Sequence, residues 1–413
     1  MSQTRFIGIL LFVLLAFAGC NRVAATRDNP GPPKPIRISA PGIDAAEPAT
    51  AAAPDGTFYV AWVNHEARQA DVMLARFNHK AEMQGSAVRV NGQPGAATAW
   101  RGDQPSIAVA PNGAVYVLWT AQIEAGETHG TDIYLSSSTD GGQSFASEVK
   151  VNDDKAFGAH GMHSLAVAKD GRIYAGWLDE RNVHAPMPST KAEGHHMESN
   201  RELYVAYSTD GGLTFSANRK VASDACPCCK TALAVSADGT LYAGWRQVLP
   251  GNYRHIAVAS STDGGTKFSV PVIVSDDRWM LQGCPVSGPS LSVDVASGSL
   301  KVAWYAAGES GAPGVYYAES QDKGQSFSPR QLLSQENVRG TPALVVRNGI
   351  VIALWQSADV PDTKMRELGT AGSVLSVAAN AELPAGAFSN DKLFVAYISK
   401  EKEKRSVWLS PAQ

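Results

Sequence analysis

Along the chain one pattern of apolar and polar positions keeps returning: a short apolar strand, a turn, and an alternating strand that ends in an aromatic residue. It stands at Ala51 to Trp62, Ser106 to Trp119, Ser164 to Trp177, Ala232 to Trp245 and Ser290 to Trp304. A weaker copy runs from Ala343 to Trp355, and the last from Ala385 to Tyr397. The turns are Asp55-Gly56, Asn112-Gly113, Asp170-Gly171, Asp238-Gly239, Ser297-Gly298, Asn348-Gly349 and Asn390-Asp391. Asp-Gly and Asn-Gly predict two-residue hairpins, because both central positions tolerate positive φ. Seven such hairpins, spaced about 42 to 68 residues apart, form the pattern of a radial array.

Two further strands follow each hairpin, and a tighter motif sits in the link between them. Ser138-Thr139-Asp140-Gly141-Gly142-Gln143-Ser144-Phe145 recurs at Ser208 to Phe215 and Ser261 to Phe268. A diverged copy reads Ser320-Gln321-Asp322-Lys323-Gly324-Gln325-Ser326-Phe327. The physics is local: Asp caps backbone N–H groups of the turn, Gly takes the strained φ, and the aromatic plugs the apolar interior. These carboxylates are therefore read as turn caps rather than catalytic groups. The motif resembles the Asp-box, or bacterial neuraminidase repeat, of sialidases and sialidase-like propellers, and the resemblance covers nearly all of the chain from residue 36 to 413. It implies an all-β fold, a single β-propeller of four-stranded antiparallel blades. Sialidases of that family have six blades; the hairpin count predicts seven, with six as the fallback. Ile36 to Ser39 matches the outer strands of other repeats, such as Val149 to Val151, and is expected to complete the last blade, Ala385 to Leu409, closing the ring.

The N-terminal stretch is of another kind. Arg5 and the apolar run Phe6 to Phe17, ending in Ala18-Gly19-Cys20, have the form of a lipoprotein signal peptide over residues 1–19. The run is too short for a spanning helix. Cys20 is thus the expected lipidation site, followed by a Pro-rich tether to residue 35. By resemblance to Gram-negative lipoproteins, Asn21 after the lipid-bearing Cys implies sorting to the outer membrane, facing the periplasm or the exterior. The formal net charge of −3, without a basic block, leaves no footing for nucleic acid.

If each blade runs A-B-C-D, the tight turns and Asp-boxes share one face and the long loops share the other. Function concentrates on loops held by a rigid scaffold. The loop entering the third blade contains His160, Met162 and His163; the next contains Cys226-Pro227-Cys228-Cys229-Lys230; the one after contains Met280 and Cys284. Between Asp179 and Arg201 lie His184, Met187, His195, His196 and Met197. Thiolate, thioether and imidazole together favour soft or borderline metals, copper(I) first and zinc(II) second. The expected ligands are Cys226, Cys228, Cys229, Cys284, His163, His160 and Met162, with a metal donor or acceptor protein as the corresponding partner. The oxidising compartment keeps two alternatives open: a disulfide staple from Cys284 to Cys226, Cys228 or Cys229, and a thiol-redox site. Cys226-x-x-Cys229-Lys230 also resembles a lysine variant of the c-type haem attachment motif.

The resemblance carries another function. Sialidase-like enzymes grip a carboxylate with three arginines, and Arg101, Arg181, Arg246 and Arg339 stand near the ends of the long loops. Trp177-Leu178-Asp179-Glu180-Arg181 is similar to the Trp-x-Asp-x-Arg feature of such propellers. However, Glu47-Pro48-Ala49 occupies the place of the family's Arg-Ile-Pro, and neither nucleophile nor acid can be assigned. Arg181 and Arg246 are accordingly expected as salt-bridged rim residues. Soft-metal binding leads, with a sialidase-like exo-glycosidase and a protein- or glycan-binding platform as alternatives.

Overall fold

The computed structural model describes residues 34–98, 102–125, 128–155, 157–183, 199–369 and 372–412. The leader, Cys20 and most of the tether lie outside them. The described residues contain strands and turns but no helix. Among them, two quartets form separate four-stranded antiparallel sheets: Asp44–Ala52, Phe58–Glu66, Gln69–Phe77 and Val88–Arg89, then Ser106–Val109, Val115–Ala125, Thr128–Ser138 and Val149–Lys150. Two more, His160–Val167 to Arg219–Ala225 and Ala232–Val235 to Val272–Ile273, are joined into one eight-stranded sheet by the pairing of Ala225 with Gln247. Ser290–Val293 to Gln331–Ser334 and Val338–Arg347 to Leu375–Ala378 follow as separate sheets. In the last sheet, Ile36–Arg37 pairs with Lys404–Pro411 beside Lys392–Glu401 and Ala381–Ser389. The N-terminal strand is held there by Ile36 opposite Leu409, Arg37 opposite Trp408, and the Val407 N–H donating to Ser39 Oγ at 3.0 Å.

The first strand of each set touches the first strand of the next, and Ala381–Ser389 returns to Asp44–Ala52. Together they surround an axial cavity of about 270 Å³ bordered by Pro48, Pro105, Ser164, Lys230, Pro289, Pro342 and Pro384. The aromatic ends of the second strands form the interior: Trp62, Trp119, Trp177, Trp245, Trp304 and Trp355 are buried, as is Tyr397. Each tryptophan ring fills the space between strands while its indole N–H finds a partner, as in Trp177 to Asp179 Oδ2 at 2.8 Å.

Turn chemistry departs from the two-residue expectation at four hairpins. Only the glycine of Asp55-Gly56, Asn112-Gly113, Asp170-Gly171 and Asp238-Gly239 takes positive φ. The residue before it instead accepts a backbone N–H two positions on, as Asp55 Oδ1 does from Thr57 at 2.8 Å. Asn348-Gly349 alone among these Gly turns places both residues at positive φ. The Asp-boxes are turn caps: Asp140 Oδ1 accepts the N–H groups of Gln143 and Ser144 at 2.9 and 3.0 Å, while Ser138 Oγ receives Gly142 N–H at 2.8 Å. These turns sit at the strand end where Val115 meets Ser138. The opposite end, where His160 meets Asp179, carries the irregular backbone. Incoming strands bulge there, with Glu47, Met162, Gly340 and Leu383 at positive φ. Such bulges re-aim side chains at a rim.

A candidate functional site of four sulfurs at the channel mouth

Pro227 occupies the second position of a tight turn in which Cys226 C=O accepts the Cys229 N–H at 3.3 Å. The turn is fastened to the next strand by Cys226 N–H donating to Arg246 C=O at 2.8 Å. Its three cysteines therefore converge. Cys229 Sγ lies 3.0 Å from Cys226 Sγ, and Cys226 Sγ lies 4.0 Å from Cys228 Sγ. Cys228 is disulfide-bonded to Cys284 from the loop entering the following strand set, across a Cα separation of 6.2 Å. Cys226, Cys228 and Cys284 place their sulfurs within 4.8 Å of one another. Of the three connectivities the sequence left open for Cys284, the structure adopts the one to Cys228, and Cys226 and Cys229 are free thiols.

The four sulfurs are graded by exposure. Cys284 is open to solvent, Cys228 is 7% exposed, and Cys226 and Cys229 are 1% exposed. A hydrogen bond from the Cys229 thiol, against opposing burial, lowers Cys226 to about 7; Arg246, Arg254 and the Cys228 N–H add to the effect. Burial pushes Cys229 well up, partly offset by Arg246 and the Ser287 N–H. The pair is thus arranged to hold one negative charge, on Cys226.

Two guanidiniums add to that effect. Arg246 is wholly buried, not a rim residue as expected: its Nε and Nη2 donate to the carbonyls of Ser287 and Tyr305 at 2.7 and 2.8 Å, and its guanidinium carbon lies 4.9 Å from the centre of the Trp279 ring. The reason is that Trp279 belongs to the same loop as Cys284, and that loop roofs the strand bearing Arg246. Arg254 is 2% exposed. Among the described residues neither forms an ion pair with a carboxylate, and Arg246 Nη1 and Arg254 Nε and Nη1 are buried without hydrogen-bond partners.. Sequence reasoning missed Arg254; a charge in the apolar run Tyr253 to Ser261 was the available signal.

The histidines go elsewhere. His163 Nδ1 lies 2.9 Å from Ser106 Oγ, and its Nε2 is 3.8 Å from Asp103 Oδ1 without a hydrogen bond. Burial lowers His163 to about 3, against the pull of Asp103. Asp103, also unflagged by its sequence, collects Lys230 Nζ at 3.1 Å, Thr120 Oγ1 at 2.9 Å and Met162 N–H at 3.0 Å. Lys230 reaches on to Gln104 C=O at 2.6 Å, and beside it Cys228 borders a cavity of about 30 Å³. His160 is enclosed with Asp154 at 3.2 Å and Asp179 at 3.5 Å. Arg181 already neutralises these carboxylates, reaching Asp179, Asp154 and the neighbouring Asp153 at 2.8, 3.5 and 2.8 Å. Met162 does join the sulfurs, in the apolar cluster that contains Cys226, Cys228 and Cys229. The bulge between Gly161 and Ser164, with Met162 at positive φ, is what separates His160 from His163.

Arg181 is salt-bridged as expected, and Arg339 is exposed on Val338–Arg347. Arg101 lies outside the described residues, as do His184, Met187, His195, His196 and Met197.

The family model described as a BNR repeat-like domain matches residues 56–278. No curated protein matches the chain. Among solved structures, an ulvan lyase from a new family of polysaccharide lyases aligns with a TM-score of 0.56 at 14% identity, covering 92% of this chain and 96% of its own. A Dyadobacter fermentans protein of unknown function aligns with a TM-score of 0.52 at 12% identity, covering 92% and 99%. A leech intramolecular trans-sialidase aligns with a TM-score of 0.47 at 12% identity, covering 86% and 82%.

Proposed function

Since the chain belongs to the BNR repeat-like domain family, we propose that its sialidase-like propeller serves as a rigid scaffold for a soft-metal site at the channel mouth. We read the strand sets as seven blades of one closed ring, a count supported by seven first strands around the axial cavity. The ligands are the sulfurs of Cys226, Cys228, Cys229 and Cys284 in their reduced form, with Met162 adjoining. His160 and His163, engaged with other groups, drop out of the set. Copper(I) is the favoured ion and zinc(II) the competitor, because thiolate-rich sites select both.

One observation carries this reading. Two buried guanidiniums without carboxylate partners act on the Cys226 sulfur, and Arg246 acts also on that of Cys229. Burying an unpaired cation is expensive; a single Cys226 thiolate answers at most one of the two charges, and a neutral disulfide answers neither. A metal–thiolate centre is anionic and accepts N–H donors on sulfur, so the unpartnered atoms of Arg246 and Arg254 fit it. The metal would supply a held and deliverable charge; the protein supplies the sulfur cage, its counter-charge and exclusion of water.

The full chain, reduced anaerobically and offered copper(I) or zinc(II) in the presence of a competing chelator, should retain about one ion per chain, in keeping with thiolate-rich sites. Cys226→Ser should lose it. Elemental analysis that finds no retained metal in the reduced protein ends the proposal.

The same proposal places the propeller in a bacterial envelope, tethered by lipid at Cys20 after removal of residues 1–19. Metabolic labelling with a lipid precursor should mark the protein and fail on Cys20→Ala. A glycan-related role is the second reading, favoured by the family itself and by the axial cavity of about 270 Å³. Against hydrolysis of the sialidase kind, Arg181 is committed to three carboxylates and Arg246 has no solvent access. Cleavage of a fluorogenic sialoside, lost on Arg246→Ala, would reverse the ranking.

A further inference from the structure

The four sulfurs form a continuous series from solvent to core: exposed Cys284 bonded to Cys228, Cys228 4.0 Å from Cys226, and Cys226 3.0 Å from buried Cys229. A metal cage does not require this order, nor does a staple require two further thiols within reach of its inner sulfur. Thiol–disulfide exchange does, since it proceeds by attack of one sulfur on a disulfide sulfur through a mixed disulfide. From this geometry we infer that the cluster is a disulfide relay, which moves its S–S bond between the surface and the interior and thereby exposes a reactive thiol at Cys284.

The chemistry balances within the chain. Cys226 Sγ, as thiolate, attacks Cys228 Sγ; the Cys226–Cys228 bond forms, the Cys228–Cys284 bond breaks, and Cys284 leaves with the electron pair and takes a proton from water. Cys229 Sγ then gives up its proton and attacks Cys226 Sγ; the Cys226–Cys229 bond forms, the Cys226–Cys228 bond breaks, and Cys228 leaves and is protonated. One disulfide and two thiols stand at the start and at the end, so no oxidant or reductant is consumed. The closing ring, Cys226-x-x-Cys229, has the spacing of dithiols that form and release a disulfide reversibly. The two loops joined by Cys228–Cys284 are then released, and Cys284 becomes able to attack a disulfide of a small molecule or a partner protein.

This inference goes beyond metal binding and is tested without it. The full chain, freed of metal by a chelator and with no reductant added, is exposed to a maleimide and then quenched in acid, digested and mapped by mass spectrometry. The expected result is labelling of Cys284 in molecules that carry a Cys226–Cys229 disulfide. In Cys226→Ser, labelling of Cys284 should slow by about ten-fold or more, because the attacking thiolate is gone. Wild-type protein whose Cys284 stays unlabelled, or equal labelling in wild type and Cys226→Ser, would overturn the relay. Should Cys226→Ser lose its near-ultraviolet circular dichroism, Cys229→Ser decides instead: the relay requires arrest at a Cys226–Cys228 disulfide, and its absence counts against it. None of these outcomes depends on whether the reduced protein binds copper or zinc.

Discussion

Replacing Cys284 with serine removes one end of the cross-link between two neighbouring strand sets. Because Cys284 is exposed, the change leaves no cavity, and its cost is chiefly that of the lost constraint on the unfolded chain. The bonded cysteines are separated by 56 residues. A loop of that size corresponds to roughly 14 cal/mol/K of unfolded-state entropy, or about 4 kcal/mol at 25 °C in the chain-entropy account. Urea unfolding of the full chain should therefore show a lower midpoint for Cys284→Ser than for wild type, and a somewhat steeper slope as the unfolded ensemble expands. A reductant should bring wild type down to the variant and leave the variant unmoved. Copper(I) added to the reduced wild type at about 100 times its dissociation constant should restore about 2.7 kcal/mol, and Cys284→Ser should recover less. Equal midpoints for oxidised wild type and variant would refute the stapled ground state, and indifference of the wild type to reductant would do the same.

Four further outcomes follow from other residues of the molecule. His163 is held neutral by burial, at about 3 against an ordinary 6.5; its contribution is complete above pH 6.5 and is lost as pH falls toward 3, so stability should drop by roughly 2 kcal/mol between pH 6.5 and 5, a limb that His163→Gln flattens in urea titrations. His160, by contrast, is opposed by burial but raised by Asp154, Asp179 and Thr131; its contribution is complete below pH 6.5 and fades as pH rises through the raised value, so His160→Gln should flatten the alkaline limb instead. Gly288→Ala would bring a Cβ to 1.9 Å from Lys230 C=O, forcing the cysteine turn to move; a loss of about 1–3 kcal/mol together with weaker metal retention is expected, and an unchanged melting temperature would contradict the packing. Asp210→Ala removes the acceptor for the Leu213 and Thr214 N–H groups at 3.1 and 3.0 Å; it should lower the melting temperature while leaving metal stoichiometry as in wild type, since this turn lies at the far end of the strands.

What was legible in the sequence was what a few adjacent residues decide. An Asp-box closes its own turn through Ser138, Asp140 and Gly142, and a buried Trp177 marks a strand end whatever surrounds it. The strand at Ile36–Arg37 could be matched to its distant partner because it shares their apolar pattern. Strand order alone also brought Cys284 to the Cys226–Cys229 turn. The rest depended on bulges and on which way a side chain turns between blades. A bulge of the kind seen at Met162 leaves no reliable mark in composition, so His160 and His163 looked like neighbours of the sulfurs when the backbone sends each to a carboxylate. Arg246 looked like a rim charge, and Arg254 drew no notice, because Arg is mostly exposed in proteins.

Those two arginines bear on the reaction as much as on the fold. A dithiol in apolar surroundings stays protonated and inert. Here Cys226 is lowered chiefly by its bond from Cys229, with both guanidiniums acting on it. Metal capture and disulfide relay each begin from the same thiolate, so the double variant Arg246→Met with Arg254→Met separates scaffold from chemistry. Methionine keeps the apolar stem of each arginine and removes an unpaired buried charge, which offsets the donors lost to the Ser287 and Tyr305 carbonyls, so the propeller should keep its fold and the Cys228–Cys284 bond. Alkylation of Cys226 at neutral pH in reduced, metal-free protein should nevertheless slow, because two cations that add to the Cys229 hydrogen bond in favouring the thiolate are gone. An unchanged alkylation rate in a folded double variant would mean that the cations do not serve the sulfurs, and both functional readings would lose the observation that supports them most directly.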